Sequence, residues 1–229
     1  MSQLVLPLRL ADHAVFASFL HDGNETLVAT LAGIAAGDGG QGCWLWGAVA
    51  TGKTHLLQAV CDRAGDQSVY LPLEVLAEAG PGMLDGLAAR DLVCIDDVDK
   101  VAGEKHWEVA LFNLFNELQE VGGQLIVSAG AAPRECNFGL ADLASRMSRL
   151  PVFLVRPLDE QQRVAALQLR ARHRGLELPD ETAAYMLKRS RRDMASLYGL
   201  LDKLDLEALR AQRRLTIPFV RDVLQGSSG

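Results

Sequence analysis

Apolar residues follow two different patterns along the chain, and the change between them lies near Pro157. Before that point, short apolar runs alternate with segments in which apolar side chains recur every three or four positions. The runs predict buried strands at 43–46, 68–73, 92–95, 124–128 and 152–155. The segments with helical spacing predict helices at 25–36, 55–63 and 107–120. Strands that alternate with helices predict a parallel α/β sheet.

The chain beyond Pro157 has no strand pattern and predicts helices at 160–174, 181–189, 193–212 and 218–224. The balance of charge changes as well, because residues 1–150 carry a net charge of −10 and residues 151–229 a net charge of +4. We therefore expect an α/β domain at 11–157, followed by a small all-helical domain at 158–225.

Net charge, apolar runs and cysteine spacing argue against several classes of protein. The net charge of −6 argues against a protein that binds DNA through overall charge alone. No apolar run approaches the ~18 residues of a membrane span, and the first residues lack the basic start of a signal peptide. The cysteines form no C-x-x-C pair, which predicts reduced, mostly buried thiols in a cytoplasmic protein. The small polar residues 226–229 predict a disordered tail.

Residues 47–54 read G-A-V-A-T-G-K-T, a complete G-x-x-x-x-G-K-[ST] phosphate-loop motif. A chance match in a glycine-rich loop is the alternative, but the predicted strand before the motif and the helix after it favour phosphate binding. Glycines let the backbone curl so that successive N–H groups point at a phosphate. The residues assigned to nucleotide binding here are Gly47, Thr51, Gly52, Lys53, Thr54 and His55.

Within this motif the side chains have different expected roles. Lys53 is expected to reach the β- and γ-phosphates, and Thr54 to offer its hydroxyl to Mg²⁺. His55 by itself is also explained as a surface or packing residue of the helix that follows the loop. The motif therefore predicts ATP or ADP as the ligand, bound together with Mg²⁺.

Residues 92–97 form an apolar strand that ends in two carboxylates. Asp96 is expected to hold the Mg²⁺ shell, and Asp97 to orient an attacking water. A solvated acidic turn is the alternative. Asp97 is one methylene shorter than a glutamate, so the water is expected to be poorly positioned and intrinsic hydrolysis slow.

Two further stretches resemble the DnaA-type family of AAA+ replication proteins: G-K-T-H-L-L-Q-A-V at 52–60, and I-D-D-V-D-K-V-A-G-E-K-H-W-E-V-A-L-F-N-L-F-N-E-L at 95–118. Phe16 and Phe19, with Gly23-Asn24, resemble the family's segment beside the adenine pocket. The resemblance implies an AAA+ base domain with a parallel sheet, a helical lid, and DnaA as a partner. DnaA proteins continue after the lid into a DNA-binding domain, so a chain that ends at Gly229 is expected to lack it.

The N-terminal residues 1–10 contain Q-L-V-L-P-L, which resembles the sliding-clamp motif of the Hda family, the regulatory inactivators of DnaA. Pro7 favours an extended peptide, Gln3 offers hydrogen bonds, and the leucines suit an apolar pocket. An N-terminal edge strand is the alternative. The resemblance implies docking on the β subunit of DNA polymerase III, the sliding clamp, so that DNA is contacted only through that clamp. The residues assigned to clamp binding are Gln3, Leu4, Leu6, Pro7 and Leu8.

The same resemblance gives roles to two arginines. Arg146 resembles the arginine finger that reaches a neighbouring subunit's nucleotide, and its alternative is a surface pair with Asp142. Arg192 resembles the lid arginine that contacts the nucleotide, and its alternative is a solvated basic face. The arginines from Arg163 to Arg174 are expected to form a solvated face, and contact with DnaA or with DNA threaded through the clamp is the alternative. The residue that senses the γ-phosphate at the end of the fourth strand aligns with Gly130, so we expect weak ATP turnover, and a substitute role for Ser128 is the alternative.

Three functions remain open at this point. The first is a regulatory inactivator that is bound to ADP, docks on the DNA-loaded clamp and stimulates hydrolysis of DnaA-bound ATP, which prevents re-initiation of replication. The second is an ATP-dependent loader or remodeller of the DnaA/DnaC class. The third is a passive, clamp-tethered adaptor. A homodimer through the nucleotide face is also compatible with the family resemblance.

Overall fold

The computed structural model of the chain describes residues 14–189 and 193–225. Its sheet consists of five parallel strands in the order β2-β3-β4-β1-β5. In chain order the strands are β1 (Gly42–Trp46), β2 (Ser68–Pro72), β3 (Leu92–Asp96), β4 (Gln124–Ala129) and β5 (Val152–Leu154). This arrangement confirms the predicted parallel α/β fold. The order of the strands had no counterpart among the sequence predictions.

Helices cover both faces of the sheet, and they are α1 (Glu25–Ala35), α2 (Lys53–Ala64), α3 (Leu73–Leu76), α4 (Lys105–Val121) and α5 (Ala141–Met147). Alternate strand residues point to opposite faces, so one hydrophobic core includes Trp44 with α4 and the other includes Leu45 with α1 and α2. Because both faces are buried, the strands read as continuous apolar runs in the sequence.

Four helices follow the sheet in the described part of the chain: α6 (Glu160–His173), α7 (Asp180–Arg189), α8 (Met194–Ala211) and α9 (Ile217–Gln225). They enclose a third hydrophobic core, to which Leu167, Leu197 and Leu201 contribute. Asp159 begins α6 with a capping box, since its carboxylate accepts from the amide of Gln162 at 2.8 Å. The predicted domain boundary at 157/158 falls between β5 and α6 and stays a prediction.

The segment before α1, residues 14–24, connects the sheet and the helical part. A short 3-10 turn, Phe16–Ser18, packs against α6, and Leu20 packs against the helical core. Asn24, which is buried before α1, accepts from the amide of Arg156 at 2.9 Å. The segment that precedes α1 therefore touches both the helical part and the chain that leads into it.

The structure contains one helix without a sequence prediction and corrects one prediction. Residues 141–147 form α5, although they gave no helix pattern, because seven residues are too few for a clear period. The arginines of α6 are not all solvated. Arg170 is buried and stacks on the ring of Tyr198 at 4.3 Å, and the largely buried guanidinium of Arg174 lies 2.5 Å from Asp202. Carboxylates on α8 compensate the buried charge, which a single-helix pattern cannot reveal.

Two simpler expectations concern the thiols and the membrane. Cys43, Cys61 and Cys94 are buried, Cys136 is partly buried, and all four are free thiols, as predicted. Within residues 14–189 and 193–225, none of the helices has the length and apolar character to cross a bilayer.

Candidate nucleotide site

The phosphate-loop motif forms a curled loop between β1 and α2. Gly47 and Gly52 have φ angles of 156° and 102°, and Ala50 has a φ of 62°. A Cβ atom on Gly47 would lie 2.7 Å from the carbonyl oxygen of Val155, and one on Gly52 would lie 2.7 Å from the ring of Phe19. Glycine is therefore required at both positions, for conformation at Gly52 and for space at both. The motif folds into the shape that phosphate binding needs.

Lys53 begins α2 and turns its side chain back over the loop. Its Nζ donates to the carbonyl oxygens of Gly47 at 2.9 Å and Ala48 at 3.1 Å, and the residue is buried. Thr51 closes the same turn, because its hydroxyl donates to Ala48 at 3.0 Å. Thr54 is exposed at the helix end. The free amides of the first turn of α2 and the Lys53 ammonium thus lie together, as a phosphate site requires.

His55 faces the N-terminal segment. Its Nε2 lies 2.9 Å from the carbonyl oxygen of Val15, and its ring packs on that of Phe19 with centroids 5.5 Å apart. Burial, with the nearby charge of Arg170, lowers its pKa to about 4, against the opposing effect of the hydrogen bond to Val15. The neutral ring therefore donates from Nε2 to the carbonyl. This contact ties the 3-10 turn to the helix that follows the phosphate loop.

The carboxyl edge of the sheet brings polar side chains from three neighbouring strands together. Asp96, at the end of β3, is almost fully buried. Tyr70 of β2 donates its hydroxyl to Asp96 Oδ2 at 2.8 Å, and Ser128 of β4 donates to Asp96 Oδ1. Tyr70 was absent from the predicted site residues. The signal that could have found it is its place on the strand beside the one that ends in Asp96.

Asp97 follows directly and adopts a left-handed backbone conformation, with φ 56° and ψ 48°. Its amide donates to the hydroxyl of Ser128 at 3.0 Å. Burial and the negative charge of Asp96 raise the pKa of its carboxyl to about 6, against the opposing effect of Lys53. Gly130, by contrast, leaves the end of β4 without a side chain.

These residues fit a nucleotide with Mg²⁺. The loop offers backbone amides and an ammonium, and Thr54 and Asp96 offer the hard oxygen ligands that Mg²⁺ prefers. No cluster of three or more His, Cys, Asp or Glu side chains suited to a metal occurs in the described part of the chain. A Mg²⁺ ion at this site would therefore take most of its ligands from phosphate and water.

Glu108 is a further residue that the sequence did not single out. It is buried in the first turn of α4 and accepts from the amides of Gly103 at 2.7 Å, Gly139 at 2.9 Å and Leu140 at 2.6 Å. The carboxylate thereby joins the loop before α4 to the start of α5. It positions the helix that carries Arg146.

Arg146 lies in the last turn of α5 and is partly exposed. Within the described ranges no carboxylate, including that of Asp142, lies within ion-pair distance of it. The other predicted residues, Arg192 of the lid and the clamp peptide Gln3 to Leu8, lie outside the described residues.

Comparison with known proteins gives two family matches and a group of similar structures. Residues 83–151 match the bacterial DnaA ATPase domain, and residues 159–224 match the lid domain of Hda. Domain III of the Thermotoga maritima replication initiation protein DnaA is 23% identical, with a TM-score of 0.78, and the match covers 94% of this chain and 97% of that one.

Two more distant structures have the same fold. The AMPPCP-bound DnaA of Aquifex aeolicus is 22% identical with a TM-score of 0.69, over 87% of this chain and 67% of that one. The Thermotoga maritima RuvB branch-migration motor is 16% identical with a TM-score of 0.65, over 90% and 69%. The sheet, the phosphate loop and the helical part together are therefore those of the AAA+ fold.

Proposed function

Because the chain is an AAA+ protein of the Hda/DnaA type, we propose that it is a regulator that inactivates the replication initiator DnaA. In this proposal it binds ADP with Mg²⁺, docks on the DNA-loaded sliding clamp through residues 3–8, and stimulates hydrolysis of the ATP that is bound to DnaA. Its own turnover of ATP is slow. The observation that carries the proposal is the position of Arg146.

The chain enters α5 near the carboxyl edge of the sheet and leaves it toward the amino edge. Leu140, just before α5, contacts Glu108 in the first turn of α4, which follows β3 and so begins at the carboxyl edge of the sheet. After α5 the chain enters β5 at the amino edge, where Pro151 accepts from the amide of Trp44 at 2.8 Å. Arg146 lies in the last turn of this helix and is partly exposed, which supports a role at another subunit's nucleotide.

An arginine in such a position suits phosphoryl transfer to water. Its guanidinium donates hydrogen bonds in a planar fork and stays charged at every physiological pH, so it stabilises negative charge that develops on the transferring phosphate. Arginine fingers that are supplied by a second protein raise hydrolysis rates by ~10³–10⁵-fold. The lack of a carboxylate partner for Arg146 among the described residues leaves its charge available for this purpose.

The slow turnover of the chain's own site is supported by two features. Asp97 is one methylene shorter than a glutamate and its backbone is held in a left-handed conformation, which limits how it positions an attacking water. Gly130 offers no side chain to the γ-phosphate at the end of β4. A protein with these features suits a long-lived ADP state, in which the nucleotide stabilises the fold and the catalytic group acts elsewhere.

The test is the rate of hydrolysis of radiolabelled ATP already bound to DnaA. We expect strong stimulation by this protein with ADP and DNA-loaded clamp, and loss of most of it on Arg146→Ala, by at least about 100-fold. Deletion of residues 2–8 should abolish stimulation only through loss of clamp binding. The control is Arg149→Ala, which removes an exposed arginine one turn further along.

The outcomes separate the three functions. Equal stimulation by Arg146→Ala and the wild-type protein would contradict the arginine-finger role. No stimulation by either, together with intact clamp binding, would favour the passive adaptor. Rapid ATP turnover by the chain alone, lost on Asp96→Ala, would favour the loader.

A further inference from the structure

The Asp96 carboxylate is held by hydroxyl groups from both neighbouring strands. Tyr70 on β2 donates to Oδ2 at 2.8 Å, and Ser128 on β4 donates to Oδ1. Asp96 and Ser128 are both almost fully buried. A buried carboxylate is unfavourable unless its oxygens are hydrogen-bonded, and here each oxygen has its own hydroxyl donor. The two donors fix one rotamer of Asp96.

Ser128 also acts on the next residue. Its oxygen accepts from the amide of Asp97 at 3.0 Å while its hydroxyl donates to Asp96. A non-glycine residue in the left-handed region is uncommon and persists where surrounding contacts hold it. One serine therefore fixes the side chain of Asp96 and the backbone of Asp97 at the same time.

We propose that Tyr70 and Ser128 are positioning residues that orient the Asp96 carboxylate for a Mg²⁺–nucleotide. This inference rests on the nucleotide binding proposed above and extends it to two side chains that hydrogen-bond Asp96 from the neighbouring strands. Mutation of a group that hydrogen-bonds a metal's ligand typically lowers the metal affinity about 10–100-fold. Loss of either hydroxyl frees Asp96 to rotate and so weakens the Mg²⁺-dependent part of nucleotide binding.

The experiment measures the affinity of the full chain for a fluorescent ADP analogue over a range of Mg²⁺ concentrations and in EDTA. We expect Tyr70→Phe to raise the Mg²⁺ concentration for half-maximal effect about tenfold. Its affinity in EDTA should match that of the wild-type protein, because the phosphate loop is unchanged. Ser128→Ala should have a similar effect and keeps the test valid if Tyr70→Phe does not fold. Tyr185→Phe, which removes a phenol hydroxyl on α7, serves as the control.

A purely structural role predicts a different result. In that case Tyr70→Phe and Ser128→Ala would lower the melting temperature and leave the Mg²⁺ dependence of binding unchanged, which would overturn the inference. Failure of the wild-type protein to bind the analogue, with Lys53→Ala identical to it, would instead overturn the proposed function and this inference with it.

Discussion

At the scale of single residues, His55 shows how one side chain serves two parts of the molecule. Its backbone belongs to the first turn of α2, yet its ring bonds to Val15 and packs on Phe19. Because the ring is largely removed from water, the neutral form is favoured and its pKa falls to about 4. The folded protein therefore resists protonation of a group that an unfolded chain protonates near pH 6.5.

The low pKa of His55 makes the free energy of unfolding depend on pH. Between pH 6.5 and pH 4 the unfolded chain binds more protons at His55, so the free energy of unfolding falls as the pH falls. We expect this residue to remove about 2 kcal/mol of stability between pH 6.5 and pH 5. His55→Gln keeps a donor for Val15 but does not titrate, so its stability should decline less over that interval. Urea denaturation of nucleotide-free protein at several pH values measures the difference, and parallel declines would contradict it.

At the scale of elements, α4 and α5 are joined by one buried carboxylate. The spacing of apolar residues predicted helix α4, but it gave no reason to expect the charged Glu108 to be buried. In the structure Glu108 accepts from Gly103, Gly139 and Leu140, which lie before α4 and before α5. Bonds from backbone amides to a carboxylate are stronger than neutral ones. The orientation of α5, and of Arg146 on it, depends on this group.

Replacement of Glu108 by glutamine tests this dependence. The amide keeps the size of the side chain but turns an NH₂ group toward one of the backbone amides and removes the charge. We expect Glu108→Gln to lower the free energy of unfolding by about 3 kcal/mol. Glu120→Gln, at an exposed position of the same helix, should change it little. Urea denaturation compares the two, and equal small losses would show that Glu108 is replaceable.

At the scale of the whole molecule, the segment before α1 contacts both the core beside α1 and α2 and the core of the helices that follow the sheet. Leu20 packs against the helical core, the 3-10 turn contacts α6, and Asn24 bonds to Arg156. The same segment covers Gly52 and His55 beside the phosphate loop. A change at the nucleotide site therefore has a direct physical route to the helical part, through packed side chains rather than through the linker alone.

The Asn24 bond gives a test at this scale. Asn24→Ala leaves the amide of Arg156 without its acceptor, so local opening becomes easier. We expect hydrogen exchange at the Arg156 amide, followed by NMR, to become about tenfold faster. Thr30→Ala, which removes a side-chain bond within α1, is the control and should leave that amide protected. Unchanged exchange in Asn24→Ala would mean that the linker is held by other contacts.

The sequence predicted the local parts of the site well because their signals are local. A glycine motif, an apolar strand and a helical period each depend on residues close together in the chain. Tyr70 and Glu108 were missed for the opposite reason. Tyr70 acts on a residue of the next strand, and Glu108 binds amides of a loop some thirty residues further on. Contacts between residues so far apart in the chain produce no periodic pattern in the sequence.

What the sequence alone determined is the succession of strands and helices, the curled phosphate loop and the pair of carboxylates at the end of β3. These follow from side-chain polarity, glycine geometry and the burial of both faces of the sheet. Only the tertiary structure decided the order of the strands, and with it which hydroxyls meet Asp96. It also decided that Arg170 and Arg174 are compensated by carboxylates rather than solvated. The physical reason is that hydrogen bonds and ion pairs depend on the distance between atoms in space, and the separation of two residues along the chain does not determine that distance.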